Sequence, residues 1–141
     1  QTRFQPAADP GNRLLAAINR ARSLRGVAPV EAVPGLAAAA EDHARDMVAR
    51  GYFDHQSPEG RNVADRAEKR HYDFRKIGEN LAVGQATPDE VVEAWTNSPG
   101  HARVLYDPVL REIGIGYMPG PLRRRPQTFN HVWVAVFGTR R

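Results

Sequence analysis

The sequence predicts an α+β domain in which a small sheet is covered by helices on both faces. Apolar residues recur at helical spacing in several stretches of the first two-thirds of the chain. After Asp107 and Pro108 the period switches to two: Ile113, Ile115 and Tyr117 alternate with glycines, and His131 to Phe137 reads HVWVAVF. Two such strands, with a third near 78–83, are too few for a barrel and enough for a sheet that helices must cover.

Residues 1–11, QTRFQPAADPG, mix Pro, Gly and polar residues without periodicity, so an extended surface arm is expected there, ahead of one domain at 12–141. Asn12 is a suitable N-cap for a first helix, in which Leu14, Leu15, Ile18, Ala21 and Leu24 recur at helical spacing up to Gly26. Pro29 and Pro34 interrupt the chain. A second helix is expected from about Gly35 to Arg50, with Leu36, Ala39, Ala40, His43, Met47 and Val48 along one side and Gly51 as its stop. His43, alone among Ala and Met, reads as a hydrogen-bonded core histidine and not as a ligand.

Residues 51–61, GYFDHQSPEGR, hold turn formers around an aromatic pair and read as a loop, and 62–70 as a short helix. At the next helix start, Thr87 can cap, Pro88 suits the first helical position, and Glu90 falls where a capping box requires it. Val91, Val92, Ala94 and Trp95 form its buried side, and Asn97, Ser98, Pro99 and Gly100 end it. PGPLRRRPQTFN, at 119–130, reads as a long loop with Arg123, Arg124 and Arg125 exposed. Trp95 and Trp133 sit in apolar periodic settings and are expected in the core, Trp133 on the face opposite Val132, Val134 and Val136.

The chain has 141 residues, 41% hydrophobic and 26% charged, which is enough for a buried core and argues against a disordered or fibrous protein. No apolar run approaches the roughly 20 residues that cross a bilayer. Cysteine is absent, so disulfides, thiol nucleophiles and thiolate metal sites are excluded together. The net charge of +4 is carried mostly by Arg, yet without aromatic interleaving or a nucleic-acid motif it points to weak attraction for anionic cell-surface polymers and not to a specific nucleic-acid site.

Three stretches occur in a telling order: FDHQSPEG at 53–60, GENLAVG at 78–84 and WTNSPGH at 95–101. With AAINRARSLRG, AAAAEDHARDMVARG, EIGIGY and VWVAVFG, they resemble the CAP superfamily of cysteine-rich secretory proteins, antigen 5 and pathogenesis-related proteins, in its bacterial form. The resemblance covers roughly 12–138. It implies a three-layer α/β/α sandwich around a short antiparallel sheet, a secreted or periplasmic location, and a cleft that in several relatives holds a divalent cation such as zinc. His55 matches the first family His, Glu79 the first Glu, and His101 stands for the second His. Ser98 occupies the place of the second Glu, and Ala135 that of a late Gln.

Two imidazoles and one carboxylate from three separate loops are a chemically suitable set for a weakly held metal with open positions, so His55, Glu79 and His101 are the candidate ligands and, with Ser98, the candidate cleft. The alternative is that Glu79 and the two His only tie loops together. Ser57 and Ser98 lack a GxSxG elbow or a sequence-specified base, although a triad is a matter of geometry. The expected function is a non-enzymatic extracellular ligand-binding module, monomeric, whose ligand could be a lipid, as for some relatives. A metal-assisted or serine hydrolase is the second reading.

Overall fold

The structure is a computed structural model and describes residues 9–141. Helix α1 (Pro10–Leu24) leads to a two-residue strand β1 (Glu31–Ala32), then α2 (Pro34–Arg50) and α3 (Val63–Lys69). Strand β2 (Phe74–Val83) is followed by α4 (Pro88–Thr96) and α5 (Pro99–Leu105). The chain closes with β3 (Glu112–Met118), a hairpin of β4 (Leu122–Arg124) and β5 (Gln127–Phe129), and β6 (Val132–Arg140). The main sheet has the order β1-β3-β6-β2. β6 runs antiparallel to both neighbours, and β1 adds a short parallel edge to β3.

The alternation along β6 divides the core. Trp133, Ala135 and Phe137 pack with Leu14 and Ile18 of α1, Val91 and Trp95 of α4, and Leu105 of α5. Val132, Val134 and Val136 pack on the other face with Leu36, Ala40, Ala44 and Met47 of α2 and Ala67 of α3. This is the expected sandwich, with its central strand buried on both faces. Both tryptophans are core, each 1% exposed.

On β3 the two faces are unequal. Ile113 and Ile115 serve the α1 side, while Gly114 and Gly116 lie under α2. A Cβ at Gly114 would stand 1.9 Å from the backbone carbon of Leu36, and one at Gly116 would stand 2.5 Å from the carbonyl oxygen of Ala40. The helix therefore rests directly on the strand's backbone. Gly51, with φ of 71°, ends α2 in the left-handed conformation that the sequence anticipates, and a Cβ there would meet the Arg123 carbonyl at 2.4 Å.

Several expectations are corrected. α1 begins at Pro10 with Asp9 as N-cap, so Asn12 is already helical and the arm cannot extend to Gly11; residues 1–8 lie outside the described residues. Leu24 is 89% exposed and not on the buried face, whereas Arg22 is fully buried. Its guanidinium donates to the carbonyls of Ala28, Leu105, Asp107 and Leu110, which ties the end of α1 to the turn after α5. Ser98, Pro99 and Gly100 do more than stop α4: they open α5, with Ser98 as N-cap and Pro99 in its first turn. Within 119–130 the expected loop contains the β4–β5 hairpin, which places Arg123 and Arg124 on a strand while all three arginines stay exposed.

α3 is capped by Asn62 and α4 by Thr87, each in a complete capping box. Thr87→Ala is expected to cost about 1 kcal/mol, read by thermal or urea unfolding. Gly114→Ala should cost about 3 kcal/mol or more, because the obstacle is backbone and cannot rotate away. Gly100, with open space around its Cβ direction, is the control: Gly100→Ala should leave the melting temperature unchanged or raise it.

Candidate functional site

The three residues of GEN, at 78–80, act on three different neighbours. Gly78 makes room for α5, since a Cβ there would touch Val104 at 3.2 Å. Glu79 is buried, and its two oxygens are used separately: Oε1 pairs with His55 Nδ1 at 2.9 Å, and Oε2 accepts from Arg66 Nη2 at 2.7 Å. Asn80, also buried, donates from its side-chain amide to the backbone carbonyl of His101 at 3.0 Å. One strand segment thus holds the His55 loop, α3 and α5 in place.

His101 sits in α5, and its Nδ1 pairs with Ser98 Oγ at 2.8 Å. Ser98 spends its hydroxyl on this ring and not on a backbone cap. In both imidazoles Nδ1 is engaged, which leaves Nε2 as the atom for a further partner. His55, Ser98 and His101 line one groove of about 420 Å³. Its polar lining is completed by Asp54 and Gln85, and its apolar lining comes from Phe53, Leu81, Ala82, Val83, Ala94 and Trp95. The Gln85 Oε1 atom is buried without a hydrogen-bond partner.

The sequence expects all three chemical residues on loops. Only His55 is: Glu79 lies on β2 and His101 on a helix. Glu79 stands behind His55 and not among the groove-lining residues. Arg66, which anchors that carboxylate from α3, has no counterpart in the motif reading; its spacing in the sequence carries no signal, since only the tertiary fold brings α3 to β2. It is 9% exposed, and its Nε has no hydrogen-bond partner. His43 is a core residue as expected, its Nε2 bonded to the Asp54 carbonyl at 2.7 Å. That bond also fixes the backbone next to His55.

Among the described residues no three His, Cys, Asp or Glu side chains are grouped closely enough to hold a metal ion. The carboxylate that would have been the third ligand is already bonded on both oxygens. The donor set here therefore suits at most two imidazole Nε2 atoms, with Glu79 orienting one ring from behind. A closed four-ligand structural site does not fit. Nor is a serine triad assembled, because the carboxylate lies on His55 while Ser98 lies on His101.

The two rings differ electrostatically. The bond to Glu79 raises the His55 pKa above its ordinary value, against the effect of partial burial. Burial lowers that of His101, and the neighbouring His55 lowers it further. His55 binds its proton more tightly in the folded state, so its stabilising contribution is full below about pH 6.5 and is lost as the pH rises through its raised value. His101 has the opposite sign: folding disfavours its proton, and stability is lost as the pH falls. Between the two values the groove carries one imidazolium and one neutral imidazole. A ¹H–¹⁵N titration should find His55 above and His101 below the ordinary pKa of 6.5. Glu79→Gln should bring His55 down towards that value; His55 unchanged in this variant would break the assignment.

The family model described as "CAP: Cysteine-rich secretory protein family" matches residues 15–137. The protein YkwD of Bacillus subtilis (strain 168) is 38% identical over 100 residues, covering 71% of this chain and 39% of its own length. The chain therefore spans well under half of that curated relative. An outer surface protein of Borrelia burgdorferi has a similar structure, with TM-score 0.81 and 23% identity over 99% of this chain and 98% of its own. An extracellular protein of Bacillus anthracis containing an SCP domain gives TM-score 0.80 and 20% identity, over 99% of this chain and 45% of its own. At these identities the structural likeness concerns the fold.

Proposed function

The chain belongs to the cysteine-rich secretory protein (CAP) family, and from that premise we propose that it is a non-enzymatic binding module whose groove takes a ligand with an apolar body and a polar group. The observation that carries this reading is the composition of the groove: half-buried Phe53, Val83 and Ala94 offer apolar surface beside the two imidazoles and Ser98, with Leu81 and Trp95 buried behind them. Extracellular placement is supported by the B. anthracis and B. burgdorferi proteins, whose names place them outside the cell or on its surface. No helix among the described residues is long and apolar enough to cross a membrane.

A divalent ion such as zinc, when bound, would supply a Lewis acid held weakly by the two Nε2 atoms. Glu79 would fix the tautomer of His55, and Ser98 Oγ would accept from His101 Nδ1. The same pair with the hydroxyl donating to Nδ1 is the feature that favours the hydrolase reading, a dyad in which Ser98 is the nucleophile. It lacks a carboxylate to orient the base.

Laurate serves as a generic amphiphile to test the binding reading. It should shift the Trp95 indole and the backbone amides of 53–55 and 81–85 in ¹H–¹⁵N spectra, and the shifts should weaken in His101→Ala. No perturbation of the groove would count against binding there. Turnover of p-nitrophenyl acetate or a casein peptide that disappears in Ser98→Ala would transfer the groove to the hydrolase reading.

A further inference from the structure

Building on the reading of this groove as a ligand site, we infer that its ligand is an extended peptide segment that adds to the outer edge of β2 at Leu81–Val83. Among the described residues β2 is an outermost strand, paired with β6 alone. One bond gives the direction of its backbone groups. The Leu81 carbonyl accepts from the Trp95 indole at 2.9 Å and so points away from β6. In an antiparallel ladder a residue either exchanges both its N–H and its C=O with the partner strand or turns both away, and neighbouring residues alternate. Gly84 fits the alternation: its N–H is directed at the Asn130 and His131 carbonyls, at 3.0 and 2.9 Å, on the β6 side. Leu81 and Val83 therefore turn their N–H groups outward. No turn, loop or side-chain hydrogen bond among the described residues uses either N–H.

The two halves of this edge are protected differently. Near the start of β2, Arg75 and Lys76 place charge on the strand, and the register with β6 shifts between Phe74 and Lys76. Both devices discourage a further strand from pairing. Leu81, Ala82 and Val83 carry no charge, and their register with β6 is regular. Their edge instead lies in the groove between Phe53, which packs on the α2 face of the sheet, and Trp95, which packs on the α1 face, so that the two act as walls. A second copy of the whole sheet cannot enter without moving these walls. A single extended segment can.

The chemistry of the edge selects the occupant further. Trp95 already satisfies the Leu81 carbonyl, so donors outnumber acceptors at this point of the edge. The two free N–H groups are two residues apart, about 6.6 to 6.8 Å along the strand. Alternate carbonyls of an extended peptide have that same spacing, and an acyl chain offers no such pair. The peptide's side chains would alternate between Phe53 and the Ala94–Trp95 wall, which favours apolar residues at those positions.

The peptide acetyl-Thr-Val-Thr-Val-Thr-amide, which has no charge of its own, is a suitable probe. It should give intermolecular NOEs to the Leu81 and Val83 amides and shift both. Val83→Pro removes one outward N–H while sparing the bonds to β6 and should weaken the peptide by about tenfold. If that variant does not fold, backbone exchange of the Leu81 amide with and without peptide in the wild type decides the question. Peptide shifts confined to Trp95 and His101, or laurate binding without peptide binding, would overturn the peptide while leaving the groove as a ligand site. Silence to both probes would remove both. Concentration-dependent dimerisation that protects the Leu81 and Val83 amides without any peptide would give the edge to a second copy and overturn the proposal.

Discussion

The helix α2 rests on the backbone of β3 with no side chain between them at Gly114 and Gly116, and this close seat governs much of the molecule. It sets the depth at which Leu36, Ala40, Ala44 and Met47 meet the valines of β6, and so the thickness of one core layer. Because α2 ends at Gly51 and leads straight into the loop that carries His55, the height of the helix above the sheet is also the height at which that loop starts. The opposite layer has more freedom: α1 and α4 meet the sheet through large side chains, Leu14, Ile18 and Trp95 among them, which can adjust by rotamer.

The site inherits its order from a buried carboxylate. Glu79 is nearly inaccessible, and a carboxylate in that position is tolerated only with its oxygens satisfied. Arg66 meets one oxygen from a buried position and His55 meets the other from the surface, where its side chain remains 54% exposed. The geometry is that of a post with a fixed foot and a working head. On the far side Asn80 and Ser98 hold His101 through its carbonyl and its ring, so each imidazole presents Nε2 without depending on the other.

Much of this was legible in the residues. The period of two around Trp133, the Thr87–Glu90 capping box and the Gly51 stop all belong to short-range chemistry that a linear sequence displays, and all are present. The order of the three motifs led to His55, Glu79, Ser98 and His101, and the fold brings His55, Ser98 and His101 to one groove with Glu79 bonded behind. What was illegible depends on distance in the chain. Arg22 looks like one more exposed helix arginine until Leu105 and Leu110 supply carbonyls 83 and 88 positions away. Arg66 looks the same until β2 places Glu79 beside it. α5 was hidden because Ser98, Pro99 and Gly100 read equally well as the end of one helix and the beginning of another, and only the packing of Leu105 decides.

The contact between Gly51 and the Arg123 carbonyl ties two segments that look independent. The hairpin of β4 and β5 is a surface excursion of the kind that tolerates insertions and deletions. Here its first strand lies against the very residue from which the His55 loop departs. Lengthening or transplanting the hairpin would therefore act as a remote adjustment of groove width. The width of the groove at His55 is thus coupled to a segment that contributes no residue to its lining.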